Sequence, residues 1–444
     1  MKRAEKPWCN SPINSFKEDS KTSGRIEARS MLKKSILFSL FVLCFILWHP
    51  LRAFSQGYDV VDEATAGNFY VVGARALGMG GAHVAVATDA TALVYNPAGL
   101  ARVTRIELSG GLTHQRVSSD TRLGFYPSFD GNVQNNTRFS SANAVFPVPT
   151  YRGSLVFALG VNRVKSFDKT MQFLAETVDE SQTAIESESG GIYLWSFGGA
   201  LDVSPNVSVG AALNLWTGKD NYTWLYESRI QSSLTIIDDA IKDEYSGFNA
   251  KFGVRVQPNK YLVLGGTIDS PVTYTIEEDW TQVTETVDGS QFDYGSSEYK
   301  ISLPFSLGAG MAFHLNNLIL AGDINYTDWT QMEYKRLENL AEANRQIKET
   351  YTDALRFHLG AEYLIPQVST SLRAGFYQNP LPYKSHWVEK QRNFFTAGAG
   401  FLIDQVMTLD VAWAYGSWEL KNVSPDLAEK YTANQVFVSV AYRL

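Results

Sequence analysis

Cysteine is almost missing from this chain of 444 residues: only Cys9 and Cys44 occur, both before residue 56. That stretch reads as an export leader, so the mature chain has no thiol, which excludes disulfides, thiolate metal sites and cysteine nucleophiles. Charge is thin as well, at 19% Asp, Glu, Lys and Arg against roughly 25% in ordinary globular domains. With 13% aromatic residues beside it, that composition excludes disorder and coiled coil as the main state. Basic excess is lacking too: 39 Lys and Arg face 46 Asp and Glu, net −7. No basic stripe is left to neutralise phosphates, and nucleic acid is excluded as a partner.

Catalytic signatures are absent. The chain has no GxSxG, HExxH or GxxxxGK[ST], no clean GxGxxG, and six histidines, of which His49 leaves with the leader. No nucleophile, base and orienter fall together and no metal ligands cluster, so no enzyme activity, cofactor or metal is expected. A barrel phospholipase would need Ser, His and Asn on an outer surface that is almost wholly apolar. Long hydrophobic runs are missing after residue 56, where nothing approaches 18 consecutive apolar residues, so no helix crosses a membrane there.

The leader itself begins at Met31-Leu-Lys-Lys, continues through the apolar run Ile36 to Trp48 and ends in Ala53-Phe54-Ser55. This is the order of a signal peptide cleaved near Ser55, with translation starting at Met31. The apolar run spans only ~20 Å as a helix, short of the ~30 Å hydrocarbon core. Removing residues 1–55 takes away 10 basic and 4 acidic residues, leaving 39 − 10 = 29 against 46 − 4 = 42, net −13. The expected divisions are a leader over 1–55, an N-terminal hatch over 56–105 and a barrel over 106–444.

What the sequence has in abundance is period-two alternation, the mark of strands with two different faces. Leu355, Phe357, Leu359, Ala361 and Tyr363 alternate with Arg356, His358, Gly360 and Glu362; Phe248, Ala250, Phe252, Val254 and Val256 alternate with Asn249, Lys251, Gly253 and Arg255. In the longest run, Tyr299, Ile301, Leu303, Phe305, Leu307, Ala309, Met311 and Phe313 form one greasy face. Fourteen strands are predicted, near 106–115, 139–147, 153–164, 190–203, 206–217, 243–257, 260–275, 296–314, 317–333, 353–364, 368–378, 391–403, 406–419 and 433–444. Their connectors alternate short (Ser204-Pro205, Pro258-Asn259, Leu315-Asn316, Asp404-Gln405) with long and polar. An even strand number with short turns at one end and long loops at the other is what a bacterial outer-membrane barrel requires. Closure leaves no sheet edge in hydrocarbon, and Tyr193, Tyr261, Tyr326, Trp413, Tyr415 and Tyr442 suit the interfacial girdles.

Between leader and barrel lies a small-residue block running from Gly73-Ala-Arg-Ala-Leu-Gly78-Met-Gly80-Gly81 through Asp89 to Tyr95-Asn96-Pro97-Ala98-Gly99-Leu-Ala101. Gly78, Gly80 and Gly81 permit close backbone approach and positive φ, as a segment folded inside a lumen needs. Asn96-Pro97 fixes a turn and Ala98 leaves it uncrowded. Residues 73–101 resemble the hatch of the FadL family of outer-membrane transport proteins at nearly every position, and the fourteen strands agree. The resemblance implies a hatch-gated channel for passive uptake of hydrophobic small molecules, long-chain fatty acids or aromatic hydrocarbons. Substrate would be captured from outside and leave sideways through the wall, beside a kinked third strand for which Gly160 is the candidate. The same hatch block occurs in the related PorV group, which serves protein secretion and surface attachment, so a protein partner is the alternative. Outer-membrane lipids and the barrel-assembly machinery are the other partners implied.

Charged residues expected to face inward are Glu107, Lys251, Arg255, Lys300, Asp323, Arg356, His358, Glu362, Arg373, Asp410 and Arg443. Most suit a hydrated, paired interior that also holds the hatch. Arg356 and Arg373, on consecutive strands, are the candidates for gripping a substrate carboxylate by charge-assisted hydrogen bonds.

Overall fold

A computed structural model describes residues 69–123, 129–176, 180–231, 233–336, 340–384, 391–421 and 427–444. The leader, the Met31 start and the first part of the hatch lie outside the described residues. None of the described helices is long and apolar enough to cross a membrane.

The barrel consists of eighteen ladder segments: β1 Glu107–Leu123, β2 Phe129–Val148, β3 Leu155–Ser166, β4 Lys169–Glu176, β5 Glu180–Ser204, β6 Val207–Ile230, β7 Ser233–Val256, β8 Leu262–Asp269, β9 Val272–Thr286, β10 Gly289–Leu303, β11 Ser306–Leu315, β12 Leu318–Asp328, β13 Glu333–Arg336, β14 Asp353–Ile365, β15 Thr370–Pro380, β16 Gln391–Ile403, β17 Met407–Lys421 and β18 Leu427–Arg443. Four pairs, β3/β4, β8/β9, β10/β11 and β12/β13, are halves of one strand interrupted near its middle, so the wall has the fourteen strands expected. All pairings are antiparallel, and β1 closes on β18 from Glu107↔Arg443 to Leu123↔Leu427.

The short turns follow from local chemistry. Asp404 and Gln405 take φ of 50° and 63° between β16 and β17, the left-handed pair that matches strand twist in a two-residue hairpin. Alternation places Leu355, Phe357 and Leu359 on the outer face, 40%, 42% and 58% exposed, while His358 and Glu362 between them are buried within. Apolar side chains open to the outside and polar ones sealed inside are the inverse of a soluble barrel.

The upper wall departs from this rule. On β8, Leu264 and Ile268 face out, but on β9 Val272, Tyr274 and Ile276 are buried inside; on β11, Leu307, Met311 and Phe313 face out, but on β10 Tyr299, Ile301 and Leu303 are buried. The two breaks lie abreast, at Ser270-Pro271 and Pro304-Phe305, between the pairs Ser306↔Asp269 and Leu303↔Val272. Proline donates nothing to a ladder and belongs at such bulges, and an odd-residue slip turns every later side chain to the other face. The greasy face read as one from Tyr299 to Phe313 is therefore two faces, and Lys300 points outward, not into the lumen.

Candidate functional site: hatch, chamber and seam

The hatch folds inside the lower lumen as two short helices, α1 (Ala74–Gly78) and α2 (Ala92–Tyr95), followed by a 3-10 turn over Pro97–Arg102. Gly80 and Gly81 have φ of 62° and 75°, conformations open to glycine at no steric cost. A Cβ on Gly80 would lie 2.6 Å from the Leu359 carbonyl oxygen, and one on Gly375 of the wall 2.2 Å from the Gly80 nitrogen. Gly78 keeps helical φ and serves close approach alone, its missing Cβ standing 3.3 Å from the Gly398 Cα. The Gly80 N–H donates to Thr396 Oγ1 at 3.0 Å, and its carbonyl lies 2.8 Å from His358 Nδ1.

Asn96 is fully buried and uses its whole side chain. Its Oδ1 accepts from the Ala98 N–H at 3.1 Å, and its Nδ2 donates to the carbonyls of Val84 in the hatch and Val254 in the wall at 2.9 and 3.0 Å. Pro97 opens the 3-10 turn, where its missing N–H costs nothing. Asp89 caps Thr91, accepting from its N–H at 2.9 Å, and sits 3.5 Å from the Arg75 guanidinium. Arg75 makes a two-pronged bond to Glu362 at 2.9 and 3.0 Å. Asp323 accepts from the His83 and Val84 N–H groups at 2.5 and 2.7 Å. Burial and the Tyr95 hydroxyl's paired bonds with Val72 hold α2 against the start of the hatch.

Arg373 is committed to this anchoring: its Nε meets Glu362 and its Nη1 meets Asp410, both at 2.6 Å. A guanidinium with two carboxylates in a buried network has little to offer a ligand. Arg356 differs. It stands above the hatch with its guanidinium 4.5 Å over the Phe69 ring, and no described carboxylate lies within ion-pair reach.

Above the hatch, inward side chains of the upper wall form an apolar cluster. Phe167, Ile192, Tyr245, Tyr274, Ile301 and Leu381 pack together in this chamber, with Ala343 and Ile347 of helix α3 (Leu340–Thr350) buried over the top. Trp216 and Tyr245 meet Tyr274 edge-on at 5.8 and 6.2 Å. Tyr274 and Ile301 take their inward phase from the two proline bulges, which period-two patterning does not register.

The wall lacks a ladder between β2 and β4. β2 pairs with β3 only from Val148↔Leu155 to Ser141↔Asn162, whereas β4 pairs only with β5, so Phe129 to Ser140 face β4 without a ladder. Gly160, the sequence candidate for a kink, lies inside regular pairing with Asn143 and Ser196. It is glycine because a Cβ would meet Asn143 Oδ1 at 1.9 Å. The strand departs instead between Arg163 and Lys165, where the register shifts, and breaks after Ser166. Beside the seam lies a cavity of about 550 Å³, lined by Arg138, Arg163, Gly190, Gly191, Tyr193 and Tyr245 among others.

The comparisons agree with this architecture. The family described as "Outer membrane protein transport protein (OMPP1/FadL/TodX)" matches residues 59–438. Among solved structures, the toluene transporter TodX of P. putida is 14% identical with a TM-score of 0.60. A FadL homologue of Pseudomonas aeruginosa is 15% identical with a TM-score of 0.61, and the Ralstonia pickettii toluene transporter TbuX is 15% identical with a TM-score of 0.55. Each comparison covers 85% of this chain and 99% of the other. No curated protein matches the chain. With a closed fourteen-stranded wall, a glycine-seated hatch and a family match over nearly its whole length, the chain belongs to the FadL/TodX family of outer-membrane transport proteins for hydrophobic compounds.

Proposed function

We propose that this protein takes up ring-containing hydrophobic molecules passively, capturing them in the aromatic chamber and releasing them sideways through the seam between β2 and β4. The observation that carries the reading is the inverted upper wall: tyrosine and aliphatic side chains of β9 and β10 face inward, beside Trp216 of β6, where water would otherwise fill the lumen. Apolar burial contributes roughly 25 cal/mol per Å², and edge-to-face aromatic contact adds about 0.5–1.5 kcal/mol per pair, so rings bind here with little polar help. A carboxylated ligand gains a further contact at Arg356, an inward cation above the hatch. Toluene transport by TodX and TbuX supports the aromatic preference. No observation favours the secretion or attachment role weighed from the sequence.

The test is binding of toluene and of decanoate followed by quenching of tryptophan fluorescence, Trp216 being in the chamber, with Tyr274→Ala as the perturbation. Toluene affinity is expected to fall roughly tenfold in the variant. Saturable decanoate binding with no toluene binding would overturn the aromatic reading. Loss of decanoate binding alone in Arg356→Gln would assign Arg356 to the carboxylate.

A further inference from the structure

Among the described residues, a side chain bridges the seam. Arg138 projects from β2 across the gap to Asp168, which stands in the break between β3 and β4, with Nε–Oδ2 of 3.2 Å and Nη2–Oδ1 of 2.6 Å. On the far side Asp168 is held by its own half of the wall: Arg163 donates to its Oδ2 at 2.8 Å and the Ser166 hydroxyl at 3.2 Å. Arg163 in turn donates to the Gly190 carbonyl. The Asp168 side chain is 2% exposed, that of Arg163 3% and that of Arg138 39%. The anchor is therefore rigid and buried on one bank, and the crossing arm is long and half in water on the other. Outside, the Tyr193 hydroxyl reaches the Phe139 carbonyl only at 3.5 Å, a weak contact at the limit of hydrogen bonding.

Resting on the reading of this seam as the exit, we propose that Arg138 is its latch, and that a carboxylate-bearing ligand opens the latch by taking the place of Asp168 on the guanidinium. Arg138 and Arg163 line the cavity beside the seam, so an anionic headgroup arriving there meets both guanidiniums and can exchange for Asp168 without leaving a cation uncompensated. A neutral hydrocarbon has no group to exchange and passes only when the pair opens on its own. Arg138 thus discriminates among hydrophobic ligands at the exit, after the chamber has bound them. It is a positioning and selectivity residue, and the chamber does not depend on it.

Two variants separate the latch from the exit. Arg138→Gln keeps a polar, hydrogen-bonding side chain but is shorter and loses the charge pair with Asp168. In lipid vesicles it is expected to pass toluene roughly fivefold faster than the parent, the ratio that one partly exposed pair supports. It is also expected to abolish the parent's preference for decanoate, with toluene binding in the chamber unchanged. Equal passage of both probes by parent and variant would overturn the latch, and faster toluene with an undiminished decanoate preference would overturn the exchange step. The second variant, Arg138→Cys with Asp168→Cys, is bridged by a short bis-maleimide. Bridging is expected to block passage of both probes while binding persists. Unimpeded passage through the bridged protein would refute the seam as exit, a failure distinct from that of the latch.

Discussion

Asn96→Ala tests whether the hatch is held by one side chain bridging two parts of the protein. The substitution removes three hydrogen bonds, to Ala98, Val84 and Val254, in a fully buried position. At 0.5–1.5 kcal/mol net for each bond, the hatch should lose roughly 2–4 kcal/mol against local opening. That raises the open population about 30- to 1000-fold. Asn96→Asp is the sharper variant: it keeps the acceptor for Ala98 but turns an oxygen toward the Val84 and Val254 carbonyls, so it should open the hatch at least as far. Hydrogen exchange of the Val84 to Ala87 amides reads the opening directly, and single-channel ion conductance reads its consequence. Wild-type protection of those amides in both variants, with the barrel inserted, would refute the reasoning, because among the described residues Asn96 alone joins the Val84 carbonyl to this turn.

Two further outcomes concern the same plug. Gly375→Ala puts a methyl 2.2 Å from the Gly80 nitrogen and 2.7 Å from its Cα, backbone that cannot step aside, so the hatch should dock less tightly by roughly 1–3 kcal/mol; unchanged hatch protease resistance would contradict this. His83 is buried with its ring edge-on to Tyr95 at 5.0 Å, and burial pulls its pKa down to about 4, Asp89 and Glu362 opposing and Arg75 and Arg373 assisting. Because this value lies below the 6.5 of a free imidazole, the open hatch binds the extra proton. The docked state is then fully favoured above about pH 6.5 and loses ground as pH falls toward 4. Ion leak should rise through that window less steeply in His83→Phe than in the parent; an equal rise in both would remove His83 from the account.

The strand number, the inward placement of Glu107, Asp323, Glu362 and Asp410, and the hatch block were all legible because each is a local pattern: period two, a short turn, a run of small residues. The partners of these groups were not. Arg373 looks free in the sequence, and only the β14–β15–β16–β17 register brings Glu362 and Asp410 to its two ends. Lys300 was misplaced because a pattern of two carries no memory of a bulge, and Pro304 was read as one more residue on the polar face. Gly160 drew attention as the lone interior glycine of its strand. The real break follows Ser166, in Phe167-Asp168, a pair that signals nothing until Arg138 is seen across from it. Arg75, a cation among alanines, shows its purpose only beside Glu362.

The wall of this barrel answers to two solvents, and the bulges at Pro271 and Pro304 mark where one gives way to the other. Below them, hydrocarbon surrounds the strands, so Leu307, Met311 and Phe313 face out and the polar side chains go inward to hold the hatch. Above them, the outside is water, and an alternation kept in the same phase would have placed Thr273, Ser302 and Lys300 in the lumen and Tyr274, Ile301 and Leu303 against water. Shifting the phase costs a broken ladder, which outer-surface water tolerates and hydrocarbon does not. The shift converts a hydrated mouth into an apolar one directly over the hatch. On the route proposed above, an apolar molecule leaving water meets apolar side chains before it reaches the charged latch at the seam.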